Sequence, residues 1–310
     1  MEPRHDSVLL EEAVENLQIK AGDTVVDGTV GGAGHFSALL GALSGSGTLV
    51  GIDADADAIV RGKSAAEGVS GTKVHLVEDN FRNLSAILEE RGIDRISGAL
   101  FDLGWSGYHL SSGRGFSFRA DEPLLMTYGT PEDGKTAADL INQATEESLS
   151  DIIFTLGEER FARQIARGIV QERKMHRILT TTDLVRVIEA STPSWYQHRR
   201  LHPATKTFQA LRMAVNDELG ALRDGLTSAL SHLEPGGRIA VITFHSIEDR
   251  IVKSMFRDAA HAGTGTVVTK KPLVPSLREA RENPRARSAK LRVFERCLKT
   301  ATVSSPYAYA

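Results

Sequence analysis

Val25-Val26-Asp27-Gly28-Thr29-Val30-Gly31-Gly32-Ala33-Gly34-His35 is the stretch on which the fold turns. An apolar β-branched run ends in a carboxylate, passes through a glycine-rich turn and enters a helical pattern over His35–Leu43. Glycines between a strand and a helix let the backbone come close to a bound molecule. Asp53 closes the next apolar run, Gly47–Asp53, about 20 residues further on, the spacing of an acid that takes up ribose hydroxyls. A dinucleotide would call for Gly-x-Gly-x-x-Gly, so that its pyrophosphate could sit on the helix N-terminus. That string is absent, and Asp27 would repel a phosphate. A sulfonium with an amino-acid tail would instead be attracted by Asp27, so the turn favours S-adenosylmethionine. His35 taken alone reads more readily as a residue that opens the helix than as a ligand.

The same rhythm repeats downstream. Lys73–Val77 is followed by Glu78-Asp79-Asn80-Phe81, where Phe81 is placed to cover one face of an adenine or to fill core. Gly98–Asp102 comes next. Short β-rich runs alternating with helical patterns imply a parallel sheet with helices on both faces. Asp102 ends its strand at the edge where open α/β sheets bind ligands. A carboxylate there can accept an amine hydrogen and aim the nitrogen lone pair at a methyl group, or simply cap a turn. From about 106 to 200 no strand pattern appears. A glycine- and aromatic-rich loop over 111–129 leads into helices from Thr136 to about Met175 and from the Thr180–Asp183 cluster. The α/β rhythm then resumes with one long helix from about Ala204 to Leu233, the turn Glu234–Gly237 and the strand Arg238–Phe244. Ser246-Ile247-Glu248-Asp249 reads as a capping-box start. Thr266–Thr269 and Lys290–Phe294 close the sheet.

The 310 residues carry a net charge of −3, with 41% hydrophobic and 25% charged residues, a soluble composition. The lone Cys297 excludes an intramolecular disulfide and a thiolate zinc cluster and suits a reducing compartment. No apolar run approaches the ~18 residues of a membrane span. The opening Met1–Asp6 has no signal-peptide character, so the expected location is the cytoplasm. No His/Asp/Glu spacing compels a metal. The small net charge hides a segregation: residues 160–206 hold ten Lys/Arg against three acids, and residues 270–296 hold nine against three. Two such windows imply a polyanionic partner. Trp105, Tyr108, Phe116 and Phe118, flanked by Arg114 and Arg119, suit stacking on an extruded base, or serve as core beneath the insertion. On the long helix, Phe208, Leu211, Val215, Leu219, Leu222 and Leu226 form one apolar stripe. Thr205, Gln209, Arg212 and Asn216 make a second stripe at its edge, which hints at a site rim.

Together these strings resemble the bacterial small-subunit (16S) ribosomal RNA cytosine-N4 methyltransferases. The matching segments are His5–Leu10, Asp27–His35, Arg114–Phe118, Gly157–Ala162, His202–Ala210, Phe244–Arg250 and Glu282–Ser288, spread over nearly the whole chain. The resemblance implies a class I, Rossmann-like methyltransferase sheet with an inserted all-helical domain. The sheet would be built from residues 1–107 and 201–298, the RNA-substrate insertion from 108–200, and a flexible tail from 299–310. It implies S-adenosylmethionine as methyl donor, N4 of one decoding-centre cytidine as acceptor, and the small ribosomal subunit as partner, in monomeric or dimeric form. Carried over, the cofactor site would comprise Ala33, Gly34, His35, Asp53, Phe81 and Asp102, joined by Asp27 on the charge argument. His109, in Ser106-Gly107-Tyr108-His109, stands where the family has Gln, and 121–128 also departs from the family string. Asp102 is the expected catalytic residue. Trp105, Tyr108, Phe116, Phe118, Arg212, Asn216, His245, Arg285 and Arg287 are the expected RNA contacts. Two alternatives stay open: methylation of DNA or a small molecule, and a cofactor-binding assembly factor without turnover.

Overall fold

Four apolar runs of the first hundred residues form parallel strands: β1 (Thr24–Asp27), β2 (Thr48–Asp53), β3 (Lys73–Glu78) and β4 (Ile96–Asp102). The computed structural model describes residues 7–103, 112–129 and 136–297. Further strands β5 (Leu233–Thr243), β6 (Gly265–Val267) and β7 (Lys290–Arg296) complete a seven-stranded sheet ordered β3-β2-β1-β4-β5-β7-β6. β5 runs parallel to β4, and β7 lies antiparallel between β5 and β6. The order reverses at β1 and β4, so the crevice that binds ligands falls at their carboxyl ends.

Alternation along the strands feeds two cores. Val25, Leu100 and Ile242 face α1 (Leu10–Leu17) and α2 (Gly34–Ala42), in a cluster with Leu17, Phe36 and Leu39. Val26, Phe101 and Val241 point the other way, with Leu88 from α4 (Leu84–Glu89), the helix after α3 (Ala56–Ala66). A third cluster belongs to the inserted segment. It gathers α5 (Ala137–Gln143), α6 (Glu146–Gly157), α7 (Ala162–Glu172) and α8 (Thr181–Ser191), with the short α9 (Ser194–Gln197) beside them. Among the described residues of 112–200 there is no strand, only an isolated bridge between Pro123 and Thr180.

The long helix expected over Ala204–Leu233 is two: α10 (Thr205–Val215) and α11 (Glu218–His232). Asp217 adopts the left-handed conformation (φ 44°) between them. The Asn216 amide donates to the carbonyls of Met126 and Arg212, at 2.7 and 2.8 Å, and accepts from the Tyr128 N–H at 3.0 Å. The apolar stripe is thereby divided: Phe208 and Leu211 enter the third core, Leu222 and Leu226 the second. Packing thus changes hands at Asn216–Asp217, and α10 sits with the insertion. β5 begins at Leu233, five residues earlier than the sequence pattern indicated, because the Glu234–Gly237 turn forms an irregularity against β4, where Leu233 pairs with Ile96 and Arg238 with Gly98. Such a bulge accommodates Pro235, which has no N–H for the ladder. α12 (Ser246–His261) follows β5, and α13 (Leu277–Glu282) precedes β7. The Leu9 N–H donates to Glu279 Oε1 at 2.8 Å, tying the first described residues to the last third of the chain. No helix among the described residues is long and apolar enough to cross a membrane.

Candidate active site

The turn after β1 forms one wall of a cleft of about 960 Å³. Its backbone is fixed from below. Gly31, at φ 49°, donates its N–H to Asp53 Oδ2 at 2.8 Å, while Asp53 Oδ1 accepts from the Asp55 N–H at 2.9 Å. A Cβ on Gly28 would come within 2.5 Å of the buried Phe101 ring, so this position has no room for a side chain. Gly34, His35, Asp53, Phe81 and Asp102, all expected cofactor residues, line the cleft together. Phe81 packs edge-on against Phe101, with ring centroids 5.5 Å apart. Burial pushes the Asp53 carboxyl up to about 6.

Two expected cofactor residues do not line the cleft. Asp27 is fully buried behind the wall, where Oδ1 accepts the Thr29 N–H at 3.0 Å. Its Oδ2 is buried with no hydrogen-bond donor among the described residues. Burial pushes this carboxyl up to about 7, with the neighbouring Asp102 and Asp53 charges adding to the shift. Asp27 therefore sits behind the cleft wall, out of contact with the cleft itself. Ala33, buried in the left-handed conformation (φ 63°), shapes the entry to α2 instead of touching the cleft. A negative potential behind the wall, without a donor of its own, fits a cationic sulfonium and rejects a phosphate.

At the end of β4, the Asp102 N–H donates to Thr29 Oγ1 at 2.7 Å. Its Oδ2 lies 3.5 Å from Nδ1 of the buried His35. His35 Nε2 lies 3.1 Å from the Val8 carbonyl, a contact that needs a proton on Nε2. Nδ1 is then the atom left to share a proton with Asp102.

A second cleft, about 1040 Å³, opens beside the first. Phe116, Phe118, Phe208 and Phe244 supply aromatic walls, and Gln209, Arg212, His245, Glu248 and Arg285 the polar groups. Leu103 and Glu248 line both clefts, so the two meet just beyond Asp102. The aromatics are core and wall at once: Phe116 stacks on Tyr128 at 5.7 Å, and Phe118 stacks on His202 at 4.6 Å.

The expected RNA contacts separate here. Arg285 lines the second cleft, where burial pulls its guanidinium down and the Asp102 carboxylate opposes that shift. Arg287 is exposed outside it and donates from Nε to the Ala280 carbonyl at 3.1 Å. Arg212 also lines the second cleft, but its guanidinium is buried and bidentate to Glu218, at 2.7 and 2.9 Å. Asn216 lines the first cleft rather than the second. His245 caps α12, its Nδ1 accepting from the Glu248 N–H while Glu248 Oε2 accepts from Phe244 N–H at 2.9 Å. Trp105, Tyr108 and His109 lie outside the described residues.

Sequence reasoning passed over Glu248, Glu218 and Tyr128. Glu248 was visible only inside the capping-box string Ser246–Asp249; the box stands one residue earlier, with His245 as N-cap and Glu248 as the acid three residues on. Ligand atoms of Glu218, His245 and Glu248 lie within 4.8 Å of one another, a grouping that could hold a metal. Because His245 Nδ1 accepts a backbone N–H, its Nε2 carries the proton and faces Glu248 Oε1 at 3.1 Å. The Tyr128 hydroxyl donates to Glu218 Oε1 at 2.8 Å, which closes a polar corner on its own hydrogen bonds.

A glycine-walled cleft at the switch point of a sheet ordered 3-2-1-4-5-7-6, with a carboxylate ending β4, defines a class I methyltransferase. The MraW methylase family model matches residues 2–297, and the chain belongs to that family. Ribosomal RNA small subunit methyltransferase H of Deinococcus radiodurans is 46% identical over 293 residues, covering 94% of this chain and 89% of its own. Ribosomal RNA small subunit methyltransferase H 2 of Agathobacter rectalis is 41% identical over 314 residues, covering 96% and 99%. Among solved structures, an rRNA methylase from Streptococcus thermophilus aligns at a TM-score of 0.43 and 13% identity, over 96% of this chain and 99% of that one.

Proposed function

We propose that the protein methylates N4 of one decoding-centre cytidine in small-subunit (16S) ribosomal RNA in the cytoplasm, using S-adenosylmethionine. The observation that carries this reading is the meeting of the two clefts at Leu103 and Glu248, beside Asp102. The small-subunit names of the relatives support the RNA acceptor.

The donor, when bound, supplies an electrophilic methyl on a cationic sulfur and leaves as a neutral thioether. Asp53 is placed for the ribose hydroxyls, Phe81 for the adenine face, and Asp27 adds negative potential from behind the wall. The aromatic second cleft would take an extruded cytosine by stacking, as enzymes that act on a base require. The N4 lone pair is delocalised into the ring, so attack needs that nitrogen turned toward sp³. Asp102 and Glu248 are the acidic acceptors at the junction that can hold its hydrogens and favour that geometry. As the N4–carbon bond forms, N4 loses one proton, and the Asp102–His35 pair is the place to put it. Arg285 beside Asp102 is suited to the phosphate or ribose of the same nucleotide. No cysteine is required, since the amine attacks the methyl directly.

The test compares rRNA nucleosides by mass spectrometry from cells with and without the gene. Purified protein is then offered small subunits, naked rRNA and DNA with labelled donor. Loss of the N4-methyl mark on deletion, and label in subunits or rRNA alone, is expected. An unchanged mark, or label in DNA only, overturns the reading.

A further inference from the structure

The insertion carries a cluster that the reaction does not use. Glu159, fully buried, accepts the Phe161 N–H at 2.9 Å and the Tyr196 hydroxyl at 2.6 Å. Burial and this carboxylate push the Tyr196 phenol up to about 12, so it remains a donor. The Tyr196 bond clamps α9 against the segment that opens α7, and the Phe161 bond fixes the Glu159 carboxylate within that segment. Arg160 is held there over three rings, its Cζ 4.4 Å from the Trp195 centroid, 4.7 Å from that of Phe161 and 5.5 Å from that of Tyr196. Arg199 lies over Tyr196 at 5.5 Å.

A cluster that served only to staple α9 would bury its largest ring. Trp195 is instead 54% exposed. Arg160, Arg199 and Arg200 are exposed as well and form no ion pair with a carboxylate among the described residues. Stacked aromatic and guanidinium faces with free positive charge are the ingredients of single-strand binding. The cluster also connects to the second cleft: Phe118, a wall of that cleft, stacks on His202, which follows Arg199 and Arg200 closely in the chain. A base drawn into the cleft leaves its neighbours in the strand unstacked, and this run of rings and cations offers them new faces.

We infer that the exposed face around Arg160 and Trp195 is a stacking platform for single-stranded RNA flanking the target base, which rests on the rRNA reading above. The experiment measures binding of a short labelled single-stranded RNA to the full-length protein, Trp195→Ala and Trp195→Phe, with a duplex of the same sequence as competitor. Trp195→Ala weakens binding about tenfold, Trp195→Phe keeps most of it, and the duplex competes poorly. Equal affinity of wild type and Trp195→Ala, with unchanged unfolding transitions, overturns the platform. So does a Trp195→Ala defect seen only with assembled subunits, which would place a protein against this face. The assay needs no methyl transfer, so the two readings fail separately. Trp195-dependent RNA binding by a protein that leaves rRNA unmethylated sinks the function, while normal methylation with Trp195-independent binding sinks the platform.

Discussion

The two clefts are built by opposite means. The first is made largely of backbone and of residues near one another in sequence: the turn after β1, Asp53 at the end of β2 and Phe81 after β3. The second is assembled from side chains of five distant segments, around residues 103, 116–126, 205–212, 244–248 and 284–288. A turn that must admit a backbone-hugging ligand leaves its mark as glycine. A pocket closed by tertiary packing leaves no contiguous string. On the proposed reading, donor recognition is then mostly local chemistry and acceptor recognition global architecture.

Four measurements break or sharpen that contrast. The largest effect belongs to Asp102→Ala. Methyl transfer is expected to fall by about 10³-fold, while donor affinity by calorimetry stays within about tenfold. A parallel loss of both would mean the clefts are not separable at Asp102. Next comes Arg212→Ala, which strips the half-buried Glu218 carboxylate of its cation while the Tyr128 hydroxyl bond remains. Breaking such a pair costs about 3–5 kcal/mol in urea unfolding, and Arg212→Met with Glu218→Gln recovers most of it. A large loss of RNA affinity in that stable double variant would return Arg212 to the list of direct contacts.

Asp27 tests the first cleft through pH. Its carboxyl titrates near 7 in the fold against an ordinary 3.8, so the folded state holds its proton longer. Unliganded stability is full below about pH 4 and declines as pH rises to about 7, because ionisation is disfavoured only in the fold. A cationic donor favours the ionised form, so its affinity rises severalfold between about pH 6 and 8. Asp27→Asn should flatten both profiles; a persisting slope would shift the effect to Asp53. The smallest effect is at the exposed Arg287, where substitution by alanine weakens rRNA association about two- to fivefold and lowers the log–log salt slope by about one. No change in slope would remove Arg287 from the phosphate contacts.

The contrast also explains what the sequence disclosed. The α/β sheet, the helical pattern after Thr136 and the closeness in sequence of the residues from Gly34 to Asp102 that share the first cleft were readable, because strand and helix periodicity and glycine and carboxylate spacing are local signals. The break at Asn216–Asp217 was not, since the apolar stripe continues in phase across it while its two halves serve different cores. The Asn216 side chain makes that break by bonding to Met126 and Tyr128, partners some 90 positions away. Arg212 looked like a site-rim cation for the same reason: nothing nearby in sequence announces its burial against Glu218. Glu248 was legible as a helix cap, but only the packed fold shows its carboxylate bordering both clefts.

The hydrogen bond from Leu9 to Glu279 spans 270 positions, and β7 pairs along β5 only after residue 289 has been made. Contacts of this span are late events, because loop closure must precede any reward from them. A chain growing from its own translating ribosome can thus raise the glycine wall early, yet its acceptor pocket lacks Arg285 and a settled floor until the final strand zips in. On the proposed reading, a copy whose β7 has not yet paired along β5 would hold its donor wall without a finished acceptor pocket.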